Sequence, residues 1–127
     1  MSDQIDHSDR ISVLLVDDET SLLEPLSAYL SQFFSVTSTE SGDEAQRLVI
    51  AREIPFDVAL VDGSLSPGPN GIELMKFIRN QHPNTEVIIF TGWGTDLRQE
   101  ALRTGAFRYL EKPFDREELM LLIRSAA

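Results

Sequence analysis

The sequence predicts an α/β fold: a doubly wound, five-stranded parallel sheet with helices on both faces. Short runs rich in Val, Ile and Leu alternate five times with segments whose apolar residues recur at helical spacing. The central run, Phe56-Asp57-Val58-Ala59-Leu60-Val61-Asp62, is nearly unbroken in its apolar character, as expected of a strand covered on both faces. It ends on a carboxylate. Gly63, Ser64, Pro67, Gly68, Pro69 and Gly71 then turn the chain away.

Each element has its own signal. Ile11 to Val16 reads as the first strand and runs into Asp17-Asp18-Glu19. Leu22, Leu26, Leu30 and Phe33, with Leu23 beside them, mark the first helix. Pro25 conflicts with a helix interior, so it is expected in the first turns or at a kink. Phe34 to Thr39 is a short, Ser/Thr-rich second strand. Ser41-Gly42-Asp43-Glu44 opens a helix carrying Ala45, Leu48 and Val49, closed before Pro55. Asn70-Gly71 starts the third helix, with Ile72, Met75 and Ile78 inward, stopped by Pro83. Glu86 to Thr91 is the fourth strand. Gly92-Trp93-Gly94-Thr95 is a loop, and the helix after it stops at Gly105. Ala106 to Glu111 is the fifth strand. Lys112-Pro113-Phe114-Asp115 turns into a last helix bearing Leu119, Leu122, Ile123 and Ala126.

The 127 residues suffice for one core, expected over residues 11–127 after a disordered lead-in of residues 1–10. Without cysteine there are no disulfides, thiolate metal sites or thiol catalysis, and the composition fits a reducing, cytoplasmic setting. No apolar run is long enough to cross a bilayer. A net charge of −10 argues against direct nucleic-acid binding or adhesion to an anionic membrane by this segment.

In a parallel sheet the carboxyl ends of all strands share one edge, where such folds bind their ligands. The first strand delivers Asp17 and Asp18 there, the third Asp62, the fourth Thr91 and the fifth Lys112. Three carboxylates brought together repel unless compensated. An oxygen-only donor set suits Mg²⁺. A carboxylate beside such an ion, with an ammonium and a hydroxyl in reach, is equipped for aspartyl-phosphate chemistry.

Together Val16-Asp17-Asp18-Glu19, Leu60-Val61-Asp62, Ile89-Phe90-Thr91-Gly92 and Tyr109-Leu110-Glu111-Lys112-Pro113-Phe114 make the chain resemble a response-regulator receiver domain of two-component signalling, flavodoxin-like in fold, from about Ile11 to Ala126. The resemblance implies that Asp62 is the phosphoacceptor, served by Thr91 and Lys112. It implies that Asp18 binds Mg²⁺ directly, Asp17 mainly through water, and Ser64 through its backbone carbonyl. Tyr109 matches the aromatic switch residue paired with Thr91, and the bond before Pro113 is expected to be cis. The implied phosphodonor is a sensor histidine kinase or a histidine phosphotransfer protein in a phosphorelay. The implied responding surface is the fourth helix, fifth strand and last helix, which also forms homodimers. The chain would then catalyse its own phosphorylation and dephosphorylation without being a conventional enzyme. Ser64 and Trp93 match the two positions that flank the hydrolytic water, and a small Ser with a large Trp predicts a long-lived phosphorylated state. One departure stands out: the loop after Asp62 is one residue longer than the commonest form, which leaves its path open.

Plainer readings stand beside these. Asp17-Asp18 would also suit a helix N-terminus, Lys112 a solvated charge, Tyr109 plain core and Trp93 loop packing. A dehalogenase-type phosphatase needs an acid where Ser64 stands, and a nucleotide site needs a Gly-rich loop where Asp17-Asp18-Glu19 stands. A degenerate receiver that acts as a non-phosphorylated binding or dimerisation module remains as the alternative. Met1 reads as a natural N-terminus. Past Ala127 two expectations stand, a stand-alone receiver or a longer regulator with an output domain. The segment Gly105 to Asp115 resembles receivers of transcriptional activators, that is, of transcription regulation.

Overall fold

The computed structural model of the chain describes residues 10–92 and 97–127. Ten elements alternate strictly: β1 (Ser12–Val16), α1 (Thr20–Leu30), β2 (Ser35–Thr39), α2 (Gly42–Ala51), β3 (Val58–Asp62), α3 (Gly71–Gln81), β4 (Glu86–Thr91), α4 (Arg98–Thr104), β5 (Arg108–Glu111) and α5 (Arg116–Ala126). The strands form one parallel sheet in the order β2-β1-β3-β4-β5. The order reverses between β1 and β3. The carboxyl ends of those two strands therefore flank the crevice that a doubly wound sheet leaves open to ligands.

Burial explains why the strands read as continuous apolar runs. All five residues of β3 are buried, and alternate residues serve opposite cores. Val13, Leu15, Val58, Leu60, Ile88 and Phe90 meet α1 and α5 through Leu23, Leu26, Leu30, Leu119 and Ile123. Leu14, Val16, Ala59, Val61, Val87, Ile89 and Tyr109 meet α2, α3 and α4 through Val49, Ile72, Met75, Ile78 and Ala101.

Local signals set most helix starts. Ser41 caps α2 by accepting from the Glu44 N–H, and Asp115 caps α5 by accepting from Glu117. Asn70 and Glu73 form a reciprocal capping box on α3. The helix α1 has no side-chain cap, and here the expected inward stripe shifts. Leu23, Leu26 and Leu30 are its buried residues, while Leu22 is only half-buried. The helix also ends at Leu30, before Phe33, and Pro25 lies inside it. The strands β1, β2, β3 and β5 begin one or two residues later than their apolar runs suggest.

Two close approaches shape the edge of the sheet. Gly71, first residue of α3, lies against the Asp62 carbonyl and the Gly63 Cα so tightly that a Cβ there would overlap backbone. At Gly63 a Cβ would sit 2.6 Å from the Thr91 methyl and 2.9 Å from Leu97 Cδ1. The loop between β3 and α3 runs against α2, with Gly68 beside Asp43. It includes a cis Ser66–Pro67 bond, Gly68 at φ 92° and the Pro69 carbonyl packed on Gly42. Gly71→Ala should therefore destabilise the fold by about 1–3 kcal/mol, the usual range for overpacking. Gly92→Ala, with no atom of the described residues within 4 Å of the added carbon, should change stability little. Urea unfolding midpoints of the two variants check this.

Candidate functional site

Three strands supply the charged centre. Asp17 follows β1 and is 1% exposed, Asp62 ends β3 and is 3% exposed, and Asp18 is exposed beside them. Ligand oxygens of the three carboxylates lie within 4.8 Å of one another. Lys112 follows β5, and its Nζ stands 3.1 Å from Asp17 Oδ2, 3.4 Å from Asp62 Oδ2 and 3.5 Å from Glu19 Oε1. Asp17 and Asp62 each also have one oxygen tied to their own turn. The Glu19 N–H donates to Asp17 Oδ1 at 2.8 Å, and the Ser64 N–H donates to Asp62 Oδ1 at 2.9 Å. These turns aim the other oxygens toward Lys112.

The balance of charge is incomplete. Asp17 Oδ2 is buried and receives no hydrogen bond, although the ammonium of Lys112 is near. Burial and, less strongly, the charge of Asp62 push the Asp17 carboxyl up to about 6, against the pull of the Glu19 N–H and Lys112. Burial alone would lower the pKa of Lys112, but Asp17 and Asp62 outweigh it and hold the ammonium above its ordinary value. A buried carboxylate oxygen without a donor, in a set of oxygen donors only, fits a hard divalent cation. Asp17 and Asp18 do not cap α1, which has no side-chain cap.

Thr91 ends β4 fully buried, and its hydroxyl lies 2.7 Å from that of Tyr109, itself 5% exposed. The Leu97 N–H also donates to the Tyr109 oxygen, at 3.2 Å. Tyr109 is thus turned inward. The Lys112 N–H donates to the Thr91 carbonyl at 2.8 Å, which carries the β4–β5 ladder one residue into the site.

The structure brings Asp17, Asp18, Asp62 and Lys112 together and pairs Thr91 with Tyr109. Ser64 is exposed, with its N–H committed to Asp62. The bond before Pro113 is cis. Trp93, Gly94 and Thr95 lie outside the described residues, as do Met1 to Asp9. Sequence reasoning missed Gly63 and Gly71 as packing points and Glu19 as a further carboxylate on Lys112. Only Glu19, adjacent to the Asp pair, carried a signal that would have found it. Arg116, the first residue of α5, stacks over Tyr29 of α1, 5.0 Å from the ring centre.

With this geometry in view, the relatives of the chain are informative. The family model for the response regulator receiver domain matches residues 13–124, and the chain belongs to that family, the receiver domains of two-component signal transduction. It is 36% identical over 118 residues to the response regulator protein PilR of Pseudomonas aeruginosa, covering 92% of this chain and 26% of that protein. It is 37% identical over 116 residues to the regulatory protein AtoC of Escherichia coli, covering 90% and 24%. The chain thus spans about a quarter of the length of these relatives. Among solved structures it is similar to a receiver domain protein of Clostridium thermocellum, with TM-score 0.82, 30% identity, and 91% and 92% of the two chains covered. Among the described residues no helix is long and apolar enough to cross a membrane.

The raised Asp17 pKa has a signed consequence. Between its ordinary value of 3.8 and about 6 the folded protein holds more of the Asp17 proton than the unfolded chain does. Stability therefore falls as pH rises through that window and levels off above it. In the presence of a chelator, the stability of Asp17→Asn relative to the parent should rise from about pH 4 to about pH 6 and then stay constant. Urea midpoints of both proteins across that range measure the difference.

Proposed function

We propose that this chain is a phosphoacceptor receiver. Asp62 takes a phosphoryl group from the phosphohistidine of a sensor histidine kinase or of a histidine phosphotransfer protein. The observation that carries the reading is the gathering of Asp17, Asp18 and Asp62 within 4.8 Å, with Lys112 reaching Asp62 at 3.4 Å. A carboxylate oxygen of Asp62 attacks phosphorus, the P–N bond breaks, and the imidazole leaves with its electron pair. Lys112 offsets charge on the phosphoryl oxygens and Thr91 donates its hydroxyl to one of them. Asp17, Asp18, Asp62 and the Ser64 carbonyl would hold Mg²⁺, which when bound supplies further positive charge against those oxygens. The chain thus catalyses its own phosphorylation and, by hydrolysis, its reversal.

The response passes through Thr91 and Tyr109 to the surface of α4, β5 and α5. That surface controls either an output domain in the longer protein or a partner, a second copy of the chain included. The domain comprises residues 11–127, and its setting is the cytoplasm, where the phosphodonor's catalytic parts would lie. The similarity to PilR and AtoC favours a regulator of transcription as the whole protein.

Acetyl phosphate with Mg²⁺ should label the parent protein, and Asp62→Asn should abolish labelling while keeping the fold. Full labelling of that variant would move the phosphate elsewhere, and an unlabelled parent would favour a non-phosphorylated binding or dimerisation module. Asp18→Ala should weaken Mg²⁺ binding more than Asp17→Ala, measured calorimetrically or by tryptophan fluorescence. The reverse order would exchange their direct and water-mediated roles.

A further inference from the structure

We propose that Arg98 and Glu111 form a latch that holds the Tyr109 ring in its buried place and so tunes the grip of Thr91 on a phosphoryl group at Asp62. The tuning rests on the reading of Asp62 as phosphoacceptor, and it assigns roles to two residues outside the reacting centre.

Strand alternation puts Tyr109 and Glu111 on the same side of β5, the side that faces α4. Arg98 is the first residue of α4. Its guanidinium carbon lies 4.9 Å from the centre of the Tyr109 ring, and its Nη2 lies 3.3 Å from Glu111 Oε1. One side chain thus spans the ring and the carboxylate. Planar guanidinium suits both tasks at once, because it stacks on an aromatic face and presents N–H groups at its edge. For the ring to swing outward it must part from Arg98, and Glu111 holds Arg98 in place.

Hydrogen-bond polarity links the latch to the site. The Leu97 N–H can only donate, so the Tyr109 oxygen accepts it at 3.2 Å. Either hydroxyl of the Thr91–Tyr109 pair, 2.7 Å apart, can donate, and a phenol oxygen that already accepts from Leu97 favours donation by Tyr109. In that arrangement the Thr91 hydrogen serves a further acceptor, and a phosphoryl oxygen on Asp62 is such an acceptor. Successive hydrogen bonds of one polarity strengthen one another. A buried Tyr109 therefore favours phosphoryl binding, and by reciprocity phosphoryl binding favours the closed latch. The competing account is an exposed ion pair of no consequence, since the Arg98 and Glu111 side chains are 51% and 66% exposed.

The test uses the whole chain with beryllofluoride and Mg²⁺ in place of the phosphoryl group, followed by tryptophan fluorescence. Arg98→Gln and Glu111→Gln should each weaken beryllofluoride binding about two- to fivefold, and Arg98→Lys should retain part of the effect. In a Tyr109→Leu background, Arg98→Gln should have no further effect. A second reading needs no phosphate analogue. In protein labelled with 3-fluorotyrosine and assigned with Tyr29→Phe, the ¹⁹F signal of Tyr109 should become more solvent-exposed in Arg98→Gln. Unchanged affinity and an unchanged ¹⁹F signal overturn the latch, as does an equal loss in the Tyr109→Leu background. A parent protein that binds no beryllofluoride overturns the phosphoacceptor reading instead, and the ¹⁹F signal alone then decides whether the latch exists.

Discussion

The ammonium of Lys112 faces two carboxylates that the sheet has taken out of water, and most of the site's geometry follows from that pairing. Asp17 and Asp62 are 1% and 3% exposed, and the ammonium lies 3.1 Å and 3.4 Å from them. Such groups are costly to bury unless paired. The pairing is not between neighbours in the sheet. Strand β4 stands between β3 and β5, so the lysine must reach across about two strand spacings, close to 10 Å. Its path passes the Phe90 ring, whose centre is 5.2 Å from Nζ. Only a long, unbranched stem with an apolar body and a charged tip makes that crossing. The Lys112 N–H on the Thr91 carbonyl anchors its base.

One cation does not balance this many acids. Asp17 Oδ2 lacks a hydrogen-bond donor, its carboxyl is pushed up to about 6, and Glu19 draws on the same ammonium at 3.5 Å. A helix cap would have solved the problem locally by giving Asp17 or Asp18 the free N–H groups of α1. The chain instead gives Asp17 Oδ1 to the Glu19 N–H and leaves Oδ2 directed at the crevice. Asp17, Asp18 and Asp62 thus make a set of oxygen donors compatible with a divalent cation.

The strand ends were legible in the sequence because strands buried on both faces write themselves as apolar runs, and the first polar residue after each run marks the shared edge. Asp17, Asp62 and Thr91 are of this kind, whereas Lys112 follows the polar Glu111 that ends the edge strand β5. What was not legible depends on neighbours distant in the chain. Gly71 looks like an ordinary helix start, and only the packing of α3 on the Asp62–Gly63 backbone makes its missing Cβ necessary. Leu22 and Leu23 compete for the inward stripe of α1, and with no cap to fix where the helix begins, periodicity alone does not choose between them. The inward set of Tyr109 depends on Thr91 and the Leu97 N–H, from other elements. Arg98 meets Tyr109 and Glu111 only because α4 folds back over β5.

Parity along the strands divides the site into two halves. Leu15, Leu60 and Phe90 face α1 and α5. Counting by twos, Asp17 and Asp62 fall on that side, and Lys112 does so through Leu110, which packs against the same core. Val61, Ile89 and Tyr109 face α2, α3 and α4, and Thr91 and Glu111 share their parity. The charged chemistry therefore belongs to one face of the sheet and the Thr91–Tyr109–Arg98 network to the other. A cleft of about 470 Å³ lined by Glu19, Leu22, Pro25, Lys112, Phe114 and Arg116 opens on the first face. The cleft shares Lys112 with the acidic centre, where its Nζ lies 3.4 Å from Asp62 Oδ2. The two faces communicate at the end of β4, where Phe90 lies near the ammonium of Lys112 and the next residue, Thr91, binds the tyrosine. Consecutive residues of β4 thus meet the acidic centre on one face and the Tyr109 network on the other.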